Sequence, residues 1–146
     1  MQALLGPEFL CRTLQDFPDA PEVEEDAATF AGNAVKKALT LVNWLKQSED
    51  HTLGWVLADD SGLEVDALDG APGVYSARYA ATEKQPGNSL DEQNNAKLLM
   101  DLKGRATHHR AGRFRCVIAL ARAGQYSQPQ IFNGTCEGHI EEAARG

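Results

Sequence analysis

The alternation of apolar and polar positions predicts one long helix in the first third of the chain. Between residues 29 and 46, apolar side chains recur at three- and four-residue spacing, which gives a helix a single apolar stripe. Lys36 and Lys37 lie off the centre of this stripe. The members of the stripe are Phe30, Ala34, Ala38, Leu41, Val42 and Leu45.

The region after this helix predicts two strands joined by a tight turn. Residues 55–58 form a short apolar run that ends on Asp59-Asp60, as a buried strand would. Residues 63–67 alternate apolar and acidic side chains, which is typical of a half-buried strand. We expect Ser61-Gly62 to form the turn between them and Asp69-Gly70 to end the second strand.

A second helix and three more strands complete the predicted elements. Ser89 and Glu92 have the spacing of a capping box, and the helix that they begin is expected to end near Lys103-Gly104. Strands are predicted at residues 9–14, 113–122 and 130–136. Because strands and helices interleave and include a hairpin, the sequence predicts an α/β protein with a mixed sheet flanked by helices.

Length and charge narrow the class of protein. The chain has 146 residues, which fits a single domain. Asp and Glu number 21 against 14 Lys and Arg, so the formal net charge is −7. This charge repels phosphate backbones and anionic lipids, and it argues against a nucleic-acid or membrane-surface binder. We expect any phosphorylated substrate to require a metal ion.

The cysteines and the apolar runs indicate an intracellular protein. Cys11, Cys116 and Cys136 are odd in number and widely spaced, so they predict buried, reduced thiols rather than a disulfide framework or a zinc knuckle. No apolar run approaches the roughly 18 residues of a membrane span, and the first residues lack the pattern of a signal peptide. The sequence therefore predicts a cytoplasmic location.

Adjacent carboxylates carry the sharpest chemical signal. Asp59 and Asp60 follow an apolar run, and carboxylate oxygens at such a position are natural ligands for Mg²⁺. The acidic run that includes Glu25 could complete an oxygen site if the following helix returns to the aspartate pair. The alternatives are a solvated acidic turn for the pair and a solvated loop for the run.

Two basic segments are weaker candidates. Residues 70–78 read as a rigid turn that delivers a serine and Arg78, whose guanidinium suits phosphate or carboxylate; a purely structural loop is the equal alternative. The segment His108-His109-Arg110 suggests metal or phosphate binding, but adjacent histidines point in different directions. We therefore expect this segment to be a surface loop.

Taken together, residues 58–68 and 70–79 closely resemble motifs of the inosine triphosphate pyrophosphatase family, which hydrolyses noncanonical purine nucleoside triphosphates. The segment Thr29–Ala38 is similar to the family's Thr-Phe-x-Glu-Asn-Ala-x-x-Lys-Ala helix, and Arg113–Val117 is similar to its Arg-Phe strand. The resemblance implies the family's curved mixed sheet, Mg²⁺ as cofactor and a homodimer. It also implies conversion of ITP, dITP or XTP to the monophosphate and pyrophosphate.

The resemblance also implies roles for individual residues. Asp60 matches the general base and metal-site carboxylate, and Asp59 supports it at the metal. Glu25 matches the metal-binding glutamate, whereas Lys37 and Ser61 match positions that contact substrate. We also assign Arg78 to substrate binding, since an arginine fork suits a triphosphate.

The chain departs from the family pattern in three places. It begins beyond the family's phosphate-cradling Asn-x-x-Lys loop and ends before its Gly-Phe-Gly-Tyr-Asp-Pro segment. Gly32 stands where the family has Glu inside a helix, and glycine there costs about 1 kcal/mol relative to alanine. We expect weak or absent activity, with two alternatives: an impaired family member that acts as a metal-binding or subunit-interaction module, and a pyrophosphatase for another modified nucleotide.

Overall fold

Two α-helices and three strands are the main elements of the part of the chain that the structure describes. The computed structural model describes residues 6–47, 54–82, 87–106, 109–123 and 128–143. The main elements are α1 (Phe30–Leu45), β1 (Trp55–Val65), α2 (Asp91–Asp101), β2 (Ala111–Arg122) and β3 (Gln130–His139). Short 3₁₀ helices occupy Leu14–Asp16, Asp66–Leu68 and Gly73–Arg78.

The described strands form one antiparallel sheet in the order β1-β2-β3. Residues 55–65 of β1 pair with residues 112–122 of β2, and residues 111–120 of β2 pair with residues 130–139 of β3. The predicted strands at 113–122 and 130–136 are confirmed, the second running three residues further. Helix α1 packs on one face of this sheet, which confirms the α/β class.

Helix α1 forms where the apolar spacing predicts it. The Thr29 hydroxyl accepts a hydrogen bond from the Gly32 backbone N–H at 3.0 Å and so caps the first turn. The predicted stripe faces the sheet, with Leu41 at its partly buried edge. The buried side chains at this interface are Phe30, Ala34, Ala38, Val42 and Leu45 from α1, and Val56, Ala58, Val117, Ala119 and Ala121 from the sheet.

Strand β1 is continuous through residues 59–62, so the predicted turn at Ser61-Gly62 is wrong. The ladder to β2 is unbroken there, and Asp60 lies opposite Val117. Exposed and buried positions alternate from residue 55 to residue 62. Because successive side chains of a strand point to opposite faces, the two aspartates lie on opposite sides of the sheet.

Gly62 allows other segments of the chain to approach β1 closely and does not form a turn. A Cβ at this position would lie 2.6 Å from the Gly73 carbonyl oxygen, 2.5 Å from Ser76 Oγ and 2.9 Å from the Phe30 ring. Since backbone atoms on one side cannot move aside cheaply, the glycine lets the 3₁₀ segment and α1 close on the strand. A glycine is required at this position, but the residues that require it lie far away in the sequence.

We expect Gly62→Ala to lower the free energy of unfolding by roughly 1–3 kcal/mol, as overpacking of a closed core does. Urea unfolding would measure the loss. Gly54→Ala is the matched control, since a Cβ at Gly54 meets nothing within 4 Å; its effect should stay within about 0.5 kcal/mol. Equal stability of the two variants would contradict the close-approach interpretation.

Two predicted element boundaries need correction. Helix α2 begins at Asp91 with Leu90 as its N-cap residue, so Ser89 does not cap it. Instead, the Gln93 side chain accepts a hydrogen bond from the Leu90 N–H at 3.3 Å. The predicted strand at residues 9–14 is wrong, because the described residues there form no strand and end in a 3₁₀ helix. At the end of this segment, the Asp16 carboxylate accepts a hydrogen bond from the Thr13 N–H at 2.7 Å, which favours the 3₁₀ turn over a strand.

Arg110 is buried, which corrects the prediction of a surface loop. Only 4% of the residue is exposed. Its guanidinium donates to the backbone carbonyls of Leu102, Ile140 and Glu141 at 2.8–2.9 Å. Arg110 thus ties the end of α2 to the segment that follows β3. His109 is exposed, and His108 lies outside the described residues.

Most of the sheet face opposite α1 is open in the described structure, whereas Val65 at the end of β1 is buried against Leu98 and Leu102. Every position of β3 is exposed, including Phe132, and Phe114 of β2 is 62% exposed. No disulfide joins the three cysteines, and Cys11 and Cys116 are half-buried, less buried than predicted. Cys136 is exposed rather than buried, because it lies on β3, every position of which is exposed in the described structure. No helix in the described part of the chain is long and apolar enough to cross a membrane.

Candidate active site

Strand alternation places Asp60 between the sheet and α1. The residue is 6% exposed and lies on the covered face of β1, among the small apolar side chains of the core. A carboxylate buried to this degree is costly unless it is paired and hydrogen-bonded. Asp60 therefore needs specific partners, and α1 supplies them.

Lys37 joins Asp60 to the acidic loop before α1. Its Nζ lies 2.8 Å from Glu25 Oε1 and 3.7 Å from Asp60 Oδ1. The same ammonium donates to the backbone carbonyl of Asp59 at 2.9 Å. Side-chain exposure rises outward, from 8% at Asp60 through 22% at Lys37 to 35% at Glu25. The structure thus brings together three of the predicted site residues at an opening to solvent.

Asn33 completes the cluster, and sequence reasoning missed it. Its Nδ2 donates to Asp60 Oδ2 at 2.9 Å, and its Oδ1 accepts from the Ala27 N–H at 2.9 Å. The residue is fully buried. Asn33 lies three residues after Phe30, so a polar residue on the buried stripe of α1 was the signal that could have revealed it. Its amide fixes one Asp60 oxygen and leaves Oδ1 facing Lys37.

Arg78 holds the acidic loop in place. Its Nη2 donates to the backbone carbonyl of Glu25 at 2.7 Å, and its guanidinium lies 5.2 Å from the centre of the Tyr75 ring. Ser76 Oγ accepts from the Leu63 N–H at 2.9 Å, which fixes the same segment to β1. These contacts favour the structural alternative for the loop at 70–78, whereas substrate contact by Arg78 stays a prediction.

Helix α2 supports the segment that carries Arg78. Asn94 Oδ1 accepts from the Ala80 N–H at 2.8 Å. The Tyr79 hydroxyl donates to Asp101 at 2.7 Å, and burial together with this carboxylate raises the pKa of Tyr79 to about 12. Both contacts are made by the two residues that follow Arg78 in the sequence. The position of Glu25 therefore depends on packing that extends to the second helix.

Ser61 and the Asp59 side chain lie away from this cluster. Both positions are exposed and point to the open face of the sheet. Ser61 pairs across the ladder with Cys116, whose thiol pKa is raised by burial and by the nearby charges of Asp59 and Asp60. The structure does not bring the Asp59 carboxylate to Glu25 and Lys37. The roles of Ser61 and Asp59 toward substrate and metal stay predictions.

The donor set at the cluster fits a magnesium ion. Glu25 and Asp60 supply carboxylate oxygens and Asp59 a backbone carbonyl, all directed at one ammonium. Among the described residues, no group of three or more His, Cys, Asp or Glu side chains could hold a metal by itself. Mg²⁺ ordinarily takes one or two carboxylates and completes its shell with water and substrate phosphate. The chain's residues are those such an ion uses.

Gly32 has a steric reason in this structure. A Cβ at position 32 would lie 2.7 Å from the Ala27 Cβ and 3.1 Å from Thr29 Oγ1. Alanine at this position would gain helix stability over glycine, but its Cβ would clash with the loop just before α1. The substitution relative to the family pattern goes with a tight approach of that loop to the first turn.

The fold and the cluster define an α/β protein with an acid–lysine–amide group between a helix and a sheet. A profile of the Ham1 family matches residues 1–146. The chain belongs to the Ham1 family, which confirms the family assigned from the sequence motifs.

Individual relatives agree with this assignment. The chain is 45% identical over 146 residues to the dITP/XTP pyrophosphatase of Shouchella clausii, and 47% identical over 141 residues to that of Geobacter sulfurreducens. These alignments cover 99% and 97% of this chain but 66% and 64% of the relatives. The solved Ham1 protein of Staphylococcus aureus superposes with a TM-score of 0.77 at 35% identity, covering 98% of this chain and 66% of that one. The chain thus spans about two thirds of these relatives.

Proposed function

We propose that the chain carries the catalytic carboxylate cluster of a nucleoside triphosphate pyrophosphatase that acts on deaminated purine nucleotides such as dITP and XTP. The observation that carries the proposal is the buried Asp60, held by Asn33 and Lys37 beside Glu25. Relatives named dITP/XTP pyrophosphatase support the substrate class. Mg²⁺ dependence, a homodimer and a cytoplasmic location belong to the same proposal through the family resemblance.

The reaction consumes one water molecule and breaks the bond between the α-phosphorus and its bridging oxygen. Asp60 orients the water and accepts its proton at Oδ1, the oxygen that Asn33 leaves available. The nucleoside monophosphate keeps the new P–O bond, and pyrophosphate departs with the bridging oxygen. Asn33 prevents the carboxylate from rotating away from this direction.

Charge decides which groups meet the triphosphate. The protein is net negative, so the polyanion needs local positive charge. Lys37 supplies an ammonium at the rim of the cluster. A bound Mg²⁺ would supply Lewis-acid stabilisation of the phosphate oxygens. Glu25 and Asp60 are the side chains that would hold this ion.

The test is pyrophosphate release from ITP, dITP, XTP, ATP and GTP by the purified 146-residue chain, with and without Mg²⁺. We expect weak release from the deaminated purine nucleotides, and only with the metal. Asp60→Asn should reduce kcat by about 10²–10⁴-fold, the usual contribution of a general base. The amide keeps the size of the carboxylate and an oxygen for Asn33, so the fold should survive.

The control is Asp69→Asn, the same substitution at an exposed carboxylate. Asp69 has φ 52°, a conformation that asparagine tolerates well, and circular dichroism would check each variant's fold. Activity of Asp69→Asn should match that of the parent chain. A folded parent chain without release, or an Asp60→Asn variant with full activity, would reject the proposal.

The open face of the sheet favours a second candidate, an interaction module without turnover. Phe114 and Phe132 are exposed on the uncovered sheet, although large apolar side chains usually pack against a partner. This candidate predicts a folded chain that binds Mg²⁺ and associates with a subunit but releases no pyrophosphate. The same assay, combined with sedimentation analysis of the chain, separates the two functions.

A further inference from the structure

Lys37 stands where a divalent cation would have to bind. Its ammonium contacts a Glu25 carboxylate oxygen at 2.8 Å, the Asp59 carbonyl oxygen at 2.9 Å and Asp60 Oδ1 at 3.7 Å. These are hard oxygen atoms of the type that Mg²⁺ and Mn²⁺ prefer. An ammonium and a divalent cation at close range on the same oxygens repel each other, so the two compete for this position.

We propose that the Lys37 ammonium occupies the cation position in the free protein and leaves it when a divalent ion binds. The ammonium is then free to meet the triphosphate. The proposal rests on the proposed function only in that Glu25 and Asp60 hold a divalent ion. It gives one lysine two alternating roles, compensation of the carboxylates without ligand and contact with phosphate afterwards.

The carboxylates have supports that do not involve Lys37. Asn33 holds Asp60 through Oδ2, and Arg78 holds Glu25 through its backbone carbonyl. Removal of the lysine ammonium therefore leaves the Asp60 carboxylate and the Glu25 backbone in place, and it leaves both carboxylates without their nearest positive charge. Two uncompensated carboxylates attract a cation more strongly than a pair already bound to an ammonium.

The lysine can move without disturbing the helix. Lys37 lies at the edge of the buried stripe, and its side chain is 22% exposed. A lysine ammonium sits on a flexible four-carbon stem and is readily rehydrated. Its exchange for a cation thus needs side-chain rotation only, while the buried Asn33 and Asp60 stay fixed.

Mn²⁺ binding to the 146-residue chain without nucleotide tests the proposal. Free Mn²⁺ would be followed by its electron paramagnetic resonance signal during titration of the parent chain, Lys37→Met and Lys36→Met. We expect Lys37→Met to bind Mn²⁺ about tenfold more tightly than the parent chain, since the competing charge is gone. Methionine keeps the length and apolar stem of the lysine.

Lys36→Met is the matched control. Lys36 precedes Lys37 on α1 and pairs with the exposed Asp26 at 2.6 Å, where it lowers the pKa of that carboxyl group. Its removal changes the net charge equally but leaves the cluster untouched. Mn²⁺ affinity of this variant should stay within about twofold of the parent chain, because exposed charges are screened. An equal gain in both lysine variants would overturn the proposal.

A second measurement uses the unaltered protein. Acetylation of Lys37 by an amine-selective reagent, read by mass spectrometry, should become faster when Mg²⁺ is added, whereas acetylation of Lys36 should not. Unchanged or weaker Mn²⁺ binding in a folded Lys37→Met chain, or no Mn²⁺ binding by any of the three proteins, would overturn the proposal. A gain in Lys37→Met without pyrophosphate release from the parent chain would reject the proposed function and leave this inference standing.

Discussion

Asn33→Leu is expected to lower the free energy of unfolding by roughly 3 kcal/mol and to remove most pyrophosphate release from the molecules that still fold. Leucine has similar size but neither donates nor accepts a hydrogen bond. The substitution leaves Asp60 Oδ2 and the Ala27 N–H without their protein partner, and each such loss costs about 1–3 kcal/mol, more beside a charge. Urea unfolding measures the first effect, and assay below the unfolding transition measures the second.

Asn43→Leu is the control for this prediction. Asn43 lies on the same helix, is exposed, and has a 3.4 Å contact with Lys46. We expect its stability to change by at most about 0.5 kcal/mol, as is usual for surface positions. If both leucine variants were equally stable and equally active, the amide of Asn33 would have no role in holding Asp60.

The elements that follow from local pattern were predictable from the sequence. Helix α1 has an apolar stripe over four turns and a threonine cap, and both signals lie within the segment itself. Strand β2 alternates between buried and less buried positions from residue 117 to residue 122, enough for the period of two to be evident. In both cases, local propensity and tertiary packing favour the same structure, so the prediction did not depend on distant contacts.

The course of β1 depended on contacts that sequence spacing does not show. Ser61-Gly62 has the composition of a tight turn, and its local signal is stronger than that of a strand interior. In the fold, Gly62 is required because Phe30 and Gly73 approach it closely. This continuity decides the chemistry, since it turns the Asp60 side chain inward and the Asp59 side chain outward.

Sequence reasoning predicted the charged residues of the cluster but missed its neutral residue, Asn33. Glu25, Lys37 and Asp60 came from the motif and lie together in the structure. Asn33 lay inside the same motif, but an amide in a helix has no distinctive chemistry until its partners are known. Its two hydrogen bonds reach Ala27, six positions before it, and Asp60, 27 positions after it. Only the fold reveals this relation.

Arg110→Met is expected to lower the free energy of unfolding by roughly 3–4 kcal/mol. The guanidinium satisfies three backbone carbonyls, those of Leu102, Ile140 and Glu141. Methionine fills similar space but leaves all three acceptors to find other partners, at about 1–3 kcal/mol for each one that stays buried. Leu102 is the C-cap residue of α2, so the Arg110 charge also interacts favourably with the helix dipole.

Arg122→Met separates this effect from loss of an arginine in general. Arg122 lies at the opposite end of β2, is exposed, and stacks over the Trp55 ring at 5.5 Å. An exposed contact of this type contributes about 0.5–1 kcal/mol, so the control should lose no more than that in urea unfolding. A similar small loss at Arg110 would mean that water satisfies the three carbonyls. A large loss confined to Arg110 would show that this residue fixes the chain beyond β3 to α2. The same helix supports the segment that carries Arg78, and Arg78 in turn holds the backbone of Glu25.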